Sequence, residues 1–264
     1  MNLKGSTNDQ KRFRYTGKAG TTAVSNLLYA NKEKQPLPIS ANLVKLHPNE
    51  PAIICMQCPT PSVFGDTWAV MLQENVTCIV DLTSKADSKN KKSGVYHAAK
   101  VHRYYPNKVG RSITYQSASG DVTVTLQSQQ LVGSHQTMSL QTFTVRKNQG
   151  VLTSIKRLHC DSWRDRGAIS PQQLSLLINE ADKVAEFGQI AVHCSAGVGR
   201  TGTFATARTL KHLYSSPPAS LKQATEQLRP LLEAGRKGRG PLFVQTTEQM
   251  KSLYQLMFEL GLEK

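Results

Sequence analysis

Apolar and polar positions follow two different periods along this chain, and the change from one to the other divides it. Between 51 and 83, "PAIICMQCP", "DTWAVMLQEN" and "VTCIVDLT" predict strand, helix, strand, because two short apolar runs flank a segment with helical spacing. "GVYHAAKVHRYYP" and the Thr-, Ser- and Val-rich stretch from Ile113 to Leu158 predict antiparallel strands joined by turns such as "SASGD". Beyond that stretch the period becomes helical. "SPQQLSLLINEADKVAEF" spaces Leu174, Leu177, Ala181 and Val184 along a helix, with Ser170 as N-cap, Pro171 in the first turn and Gln173 closing a capping box. Ser220 with Gln223, and Thr246 with Gln249, repeat that start signal. Met250, Leu253, Met257 and Leu260 line one face of a last helix, with a short strand expected before it from Leu242 to Val244. Residues 1 to about 20 are polar and basic with little periodicity, and read as a flexible lead. A mixed sheet with helices packed on it is an α/β domain.

Composition narrows the classes. A chain of 264 residues is long enough for a sizeable buried core. No apolar run is long enough to span a bilayer, and no secretory leader opens the sequence. Five cysteines, an odd count without a disulfide-like spacing, fit a cytoplasmic-type reducing environment. Cys55 and Cys58 form a C-x2-C pair, but there is no second pair and Cys55 sits inside an apolar strand pattern. Neither a metal site nor a cofactor is expected. The formal net charge is +15 and the pI about 9.7. Positive charge is spread over patches such as "KRFR", "KNKK" and "RKGRG", with no nucleic-acid motif beside them. Steering of anionic, phosphorylated substrates ranks ahead of a nucleic-acid partner, and a solvated surface ranks above both for any single patch.

One stretch carries candidate chemistry. In "AVHCSAGVGRTG", residues 191 to 202, a short buried strand runs into a glycine-bearing loop and then into the helical run "TGTFATARTLKHLY". In that arrangement successive N–H groups can turn inward beside the positive N-terminal end of a helix, making a cup for an anion. A thiol at its base, Cys194, would sit in positive potential, the setting that gives reactive cysteines pKa values of roughly 3.5–7.5. Arg200 adds a planar fork suited to two phosphate oxygens.

His193 to Gly202, H-C-S-A-G-V-G-R-T-G, resembles the signature loop of the protein tyrosine phosphatases, and the resemblance extends over most of residues 40–262. It implies a highly twisted mixed sheet flanked by helices, a single catalytic domain from 21 to 264, and no cofactor. It also implies a phosphate-binding loop of Ser195, Ala196, Gly197, Val198 and Gly199 with Arg200, and Cys194 as nucleophile. "LHCDSWRDRGAISP" resembles the family's acid loop, with Trp163-Arg164-Asp165 where Trp-Pro-Asp is usual. Asp161 is a nearby rival, and the tryptophan two positions ahead favours Asp165 as the acid; Trp163 is grouped with the substrate-binding residues. "QTTEQM" resembles the glutamine loop, with Gln245 positioning the hydrolytic water and Gln249 second, its capping role reading nearly as well. Thr201 would ease departure of the thiolate, and His193 would orient the loop. "MQCPTPSVFGDTWAVMLQEN" and "KVHRYYP" match further family segments, Lys100 falling where a lysine contacts the acid.

The family's tyrosine-bearing substrate loop has no clear counterpart, Tyr29 being the nearby candidate. In that gap and in its short N-terminal half the chain resembles bacterial effector phosphatases delivered by type III secretion, which implies a place in a host cytoplasm and a role in virulence. A secretion chaperone would be a partner of a longer form. The reaction expected is hydrolysis of phosphotyrosine in proteins by a monomer. Rival readings are a catalytically weak phosphotyrosine-binding module, a phosphatase for phosphoinositide or phosphoserine, and a basic nucleic-acid binder.

Overall fold

The computed structural model describes residues 39–84, 87, 101–133 and 138–260. Among them eight strands form one sheet: β1 (Ala41–Val44), β2 (Ile53–Gln57), β3 (Val76–Asp81), β4 (Ser112–Tyr115), β5 (Val122–Val132), β6 (Met138–Lys147), β7 (Thr153–His159) and β8 (Gln189–Cys194). Their order is β1-β2-β8-β3-β7-β6-β5-β4. The middle strands β2, β8, β3 and β7 run parallel, and the outer ones pair antiparallel. Parallel strands are covered on both faces, which explains why β2, β3 and β8 read as continuous apolar runs. In β5, Val122, Val124 and Leu126 are buried while Thr123 and Thr125 are half-buried, the alternation of a strand with one covered face.

Each face has its own core. One gathers Cys55, Val80, Leu158, Val192 and Cys194 under four helices: α2 (Pro171–Ala185), α3 (Gly199–Leu213), α4 (Leu221–Gly238) and α5 (Thr247–Glu259). The other gathers Ile54, Met56, Ile79, Phe143 and Ile155 under α1 (Phe64–Gln73), with Trp68 fully buried at its centre. The predicted helix starts are present. Ser170 and Thr246 each head a capping box with Gln173 and Gln249, and Ser220 accepts from the backbone N–H of Gln223. No helix among the described residues is long and apolar enough to cross a membrane.

Two expected strands are not strands, and β1 was not anticipated. Val101 to Pro106 pair with no strand; the indole of Trp68 takes the Tyr104 carbonyl at 2.8 Å, an acceptor that a ladder would need. The first part of that predicted strand, 94–100, lies outside the described residues, as do the basic lead and Tyr29. Leu242 to Val244 form a turn, with Phe243 N–H on the Gly240 carbonyl at 3.0 Å and Val244 at φ 60°. The turn tucks beneath α3, where a Cβ at Gly202 would stand 2.7 Å from the Val244 nitrogen.

Candidate active site

β8 delivers the thiol to the centre of the molecule. Because side chains alternate along a strand, Cys194 leaves on the four-helix face and His193 on the α1 face. The chain then turns through Ser195–Val198. Gly197 has φ +72°, and a Cβ there would lie 2.1 Å from the Met56 carbonyl oxygen, so only glycine fits. Its N–H donates to Cys194 Sγ at 3.3 Å. α3 opens at Gly199 with no side-chain cap from Val198, which leaves its first N–H groups without intrahelical acceptors.

Arg239, just past α4, holds the loop from outside. Its Nε donates to the Gly197 carbonyl at 2.9 Å and its Nη1 to Asn42 Oδ1 at 2.6 Å. In a trans peptide a carbonyl drawn outward turns the following N–H the other way, and the Gly197 N–H already meets the thiol. That is the construction of an anion cup.

Arg200 stands in the first turn of α3, 1% exposed. Its Nη1 donates to the carbonyls of Leu82 (2.8 Å) and Trp163 (2.9 Å) and to Asp87 Oδ2 (2.8 Å), and its Nη2 to Asp165 Oδ1 at 3.2 Å. Its Nε has no partner among the described residues, which leaves a donor for a bound anion. Burial works against its charge, but Cys194, Asp87 and Asp165 outweigh it and hold its pKa above the ordinary value. The hydroxyl of Thr201, fully buried, also has no partner among the described residues.

The acid loop rests on this arginine. Asp165 reaches Arg200, with 46% of its side chain open to solvent. Trp163 is fully buried and donates its indole N–H to the Gly167 carbonyl at 2.9 Å. It therefore anchors the loop. Gln249 is also fully buried: its Oε1 accepts from the N–H groups of Gln245 (2.8 Å) and Thr246 (3.3 Å), while its Nε2 donates to the Gly167 carbonyl at 3.3 Å. Both glutamines border the cup, since a Cβ at Gly199 would stand 3.0 Å from Gln245 Oε1 and 3.2 Å from Gln249 Nε2.

Behind the sheet, His193 is fully buried, and its Nε2 shares a hydrogen bond of 2.7 Å with the Tyr104 hydroxyl. Burial lowers its pKa, against the pull of Asp81. Sequence reasoning missed Tyr104, Asp87, Arg239, Asp81 and Arg157. Tyr104 lies in the matched segment "KVHRYYP" and Arg239 in the basic patch "RKGRG", neither singled out there for a role. Lys100 lies outside the described residues.

The described geometry thus gathers Cys194, Arg200, Thr201, Asp165, Gln245 and the Ser195–Gly199 loop around one cup. A family model for protein-tyrosine phosphatase matches residues 8–259. Receptor-type tyrosine-protein phosphatase eta of Gallus gallus is 29% identical over 232 residues, 84% of this chain and 14% of that protein. Tyrosine-protein phosphatase non-receptor type 23 of Mus musculus is 31% identical over 176 residues, 63% of this chain and 10% of that protein. The chain thus spans a small part of these relatives. A solved structure bearing on the PTPN18 fingerprint on distinct HER2 tyrosine phosphorylation sites is similar in fold, with TM-score 0.70, 24% identity and coverage of 95% of this chain and 81% of that one. The chain belongs to the protein tyrosine phosphatase family.

Proposed function

We propose that this chain hydrolyses phosphotyrosine in proteins through a cysteinyl-phosphate intermediate. The observation that carries the reading is the single cup in which the Cys194 thiol, the buried Arg200 and the half-exposed Asp165 meet. The cup's N–H groups and Arg200 hold the phosphoryl oxygens. Cys194 Sγ attacks phosphorus in line, so that an S–P bond forms as the P–O bond to the phenol breaks. Asp165 gives its proton to the departing phenol oxygen. The ionised Asp165 then takes a proton from a water held by Gln245, whose oxygen attacks phosphorus and releases the thiolate and inorganic phosphate. The donors fixed on the cup stabilise the charge that develops on phosphorus's oxygens. Thr201, whose hydroxyl has no partner among the described residues, supplies a hydrogen bond to the departing thiolate.

The domain of this activity is 21–264, acting as a monomer on phosphotyrosine proteins. The finer reading, a secreted bacterial effector in a host cytoplasm with a chaperone for its longer form, rests on what the N-terminal sequence lacks. The relatives named above are from animals. Hydrolysis of a peptide panel carrying phosphotyrosine, phosphoserine or phosphothreonine, beside phosphoinositides, tests the substrate class. Turnover confined to phosphotyrosine supports the reading, and a preference for phosphoinositide or phosphoserine overturns it. Binding without turnover would make the chain a recognition module.

A further inference from the structure

A buried ion pair lies behind the nucleophile, and the reaction above does not use it. Asp81 ends β3 and Arg157 lies in β7; each is 2% exposed. Arg157 donates to Asp81 Oδ2 through Nε, at 2.9 Å, and through Nη2. Its Nη1 donates to Gln141 Oε1 at 2.6 Å, and its guanidinium lies 4.2 Å from the centre of the Tyr105 ring. On the other oxygen, Asp81 Oδ1 accepts from Thr83 N at 2.9 Å and Thr83 Oγ1 at 2.7 Å. A carboxylate offers about four lone-pair sites, and these four donors fill them. His193 Nε2 lies 3.6 Å from Asp81 Oδ2, too far for a hydrogen bond, and bonds with the Tyr104 hydroxyl instead.

Stability is a weak reason for such a pair, because desolvating two charges often costs as much as their attraction returns. Its location supplies a better one. Asp81 is the register partner of His193 between β3 and β8. Its neighbour Leu82 donates N–H to the His193 carbonyl at 2.8 Å, and the Leu82 carbonyl accepts from Arg200 Nη1 at 2.8 Å.

We propose that Arg157 is a positioning residue for the catalytic loop, acting through Asp81: by occupying Oδ2 it leaves the His193 ring to Tyr104, and so fixes one tautomer and one orientation behind Cys194. The proposal rests on the reading of Cys194 as nucleophile. In the tautomer this arrangement calls for, the Tyr104 hydroxyl donates to Nε2 and the ring proton sits on Nδ1, a buried atom without a hydrogen-bond partner among the described residues. Without Arg157, Oδ2 gains free lone pairs and an uncompensated charge close to Nε2. That nitrogen then binds a proton and turns toward Asp81, and the Tyr104 hydroxyl loses its acceptor. The groups facing His193 are Asp81 from β3, Arg157 and His159 from β7, Tyr104 from the segment after 101, and Cys194 next to it, while Tyr105 and Cys58 face the Asp81–Arg157 pair. Burial, Arg157 and His159 disfavour the imidazolium, while Asp81 favours it.

The test follows the histidine ring resonances of the full chain by NMR against pH, with His193 assigned from His193→Gln, alongside kcat and KM. In the parent chain the His193 ring stays neutral at pH 7. In Arg157→Gln its titration moves to higher pH, and kcat falls on the order of 10- to 100-fold with KM little changed. The double variant Asp81→Asn/Arg157→Gln removes the charge facing the ring, so the titration returns toward the parent's and part of kcat recovers. If Arg157→Gln does not fold, Arg157→Lys, which offers Oδ2 a single donor in place of the fork, moves the titration the same way by less. A His193 ring that titrates alike in every folded variant overturns the proposal, as does a double variant no better than Arg157→Gln. Absence of turnover in the parent chain would instead refute the proposed activity, since the ring titration is read without substrate.

Discussion

Four of the five cysteines are placed where a thiolate is disfavoured. Burial pushes Cys55, Cys58 and Cys78 up to about 12 and raises Cys160 as well. Cys194 instead receives the Gly197 N–H and faces Arg200. Iodoacetate at pH 6 should therefore label Cys194 well before the others, and inorganic phosphate should protect it; equal labelling of all five would contradict this. The acid is assigned on the same scale. Asp165→Ala should cost on the order of 10²–10⁴ in turnover of a phenyl phosphate with a poor leaving group, and far less where the leaving group needs no proton. Steady-state comparison with Asp161→Ala checks it, and the reverse pattern would move the role to Asp161. These residues were legible because motif and local geometry coincide: the loop between His193 and Gly202 is built by its own glycines. Asp81, Arg157 and Arg239 were not, because their partners lie far along the chain, Arg239 reaching Asn42 and Arg157 reaching Asp81.

Among the elements, the helices were the most legible, since capping and spacing are local signals. The same locality misled at Leu242–Val244, where three apolar residues serve a turn packed under Gly202 rather than a strand. α5 joins stability to chemistry through Gln249, whose carboxamide caps the helix and touches the acid loop. Gln249→Ala should lower unfolding free energy by roughly 0.5–2 kcal/mol. Gln245→Ala should leave it unchanged while slowing hydrolysis of the intermediate; denaturant melts and single-turnover kinetics separate the two. α3 is tied at its other end by His212, whose Nε2 and Nδ1 lie 2.8 Å from Asp182 Oδ2 and Glu50 Oε2. The Asp182 hydrogen bond leads in raising the His212 pKa, against burial and the nearby Arg208 charge, with Glu50 adding to it. A raised folded-state pKa contributes stability that is complete below the unfolded value of about 6.5 and is lost as pH rises through the folded value. Thermal melts should show Tm falling over that interval, and His212→Gln should flatten the fall. An unchanged slope would show that the bridge does not matter.

For the whole molecule, the alternation of strand and helix periods was enough for an α/β class, yet not for strand order. The parallel core β2-β8-β3-β7 joins segments that lie far apart along the chain, with Ile54 beside Ala191 and Cys78 beside Lys156. No local pattern encodes that pairing. Its consequence is that β8 ends at the centre of the sheet, with a helix N-terminus above Cys194 and a buried polar network behind His193. The proposed hydrolysis requires the phosphoryl group to pass through sulfur at that point. The most direct measurement is rapid quenching of the chain with a phosphotyrosyl peptide, in the Gln245→Ala background that slows the second step, followed by mass spectrometry of the digested protein. One phosphoryl group is expected, on the fragment containing Cys194, and none in Cys194→Ser, which should bind the peptide without turning it over. A phosphoryl group on another residue, or continued turnover by Cys194→Ser, would contradict it.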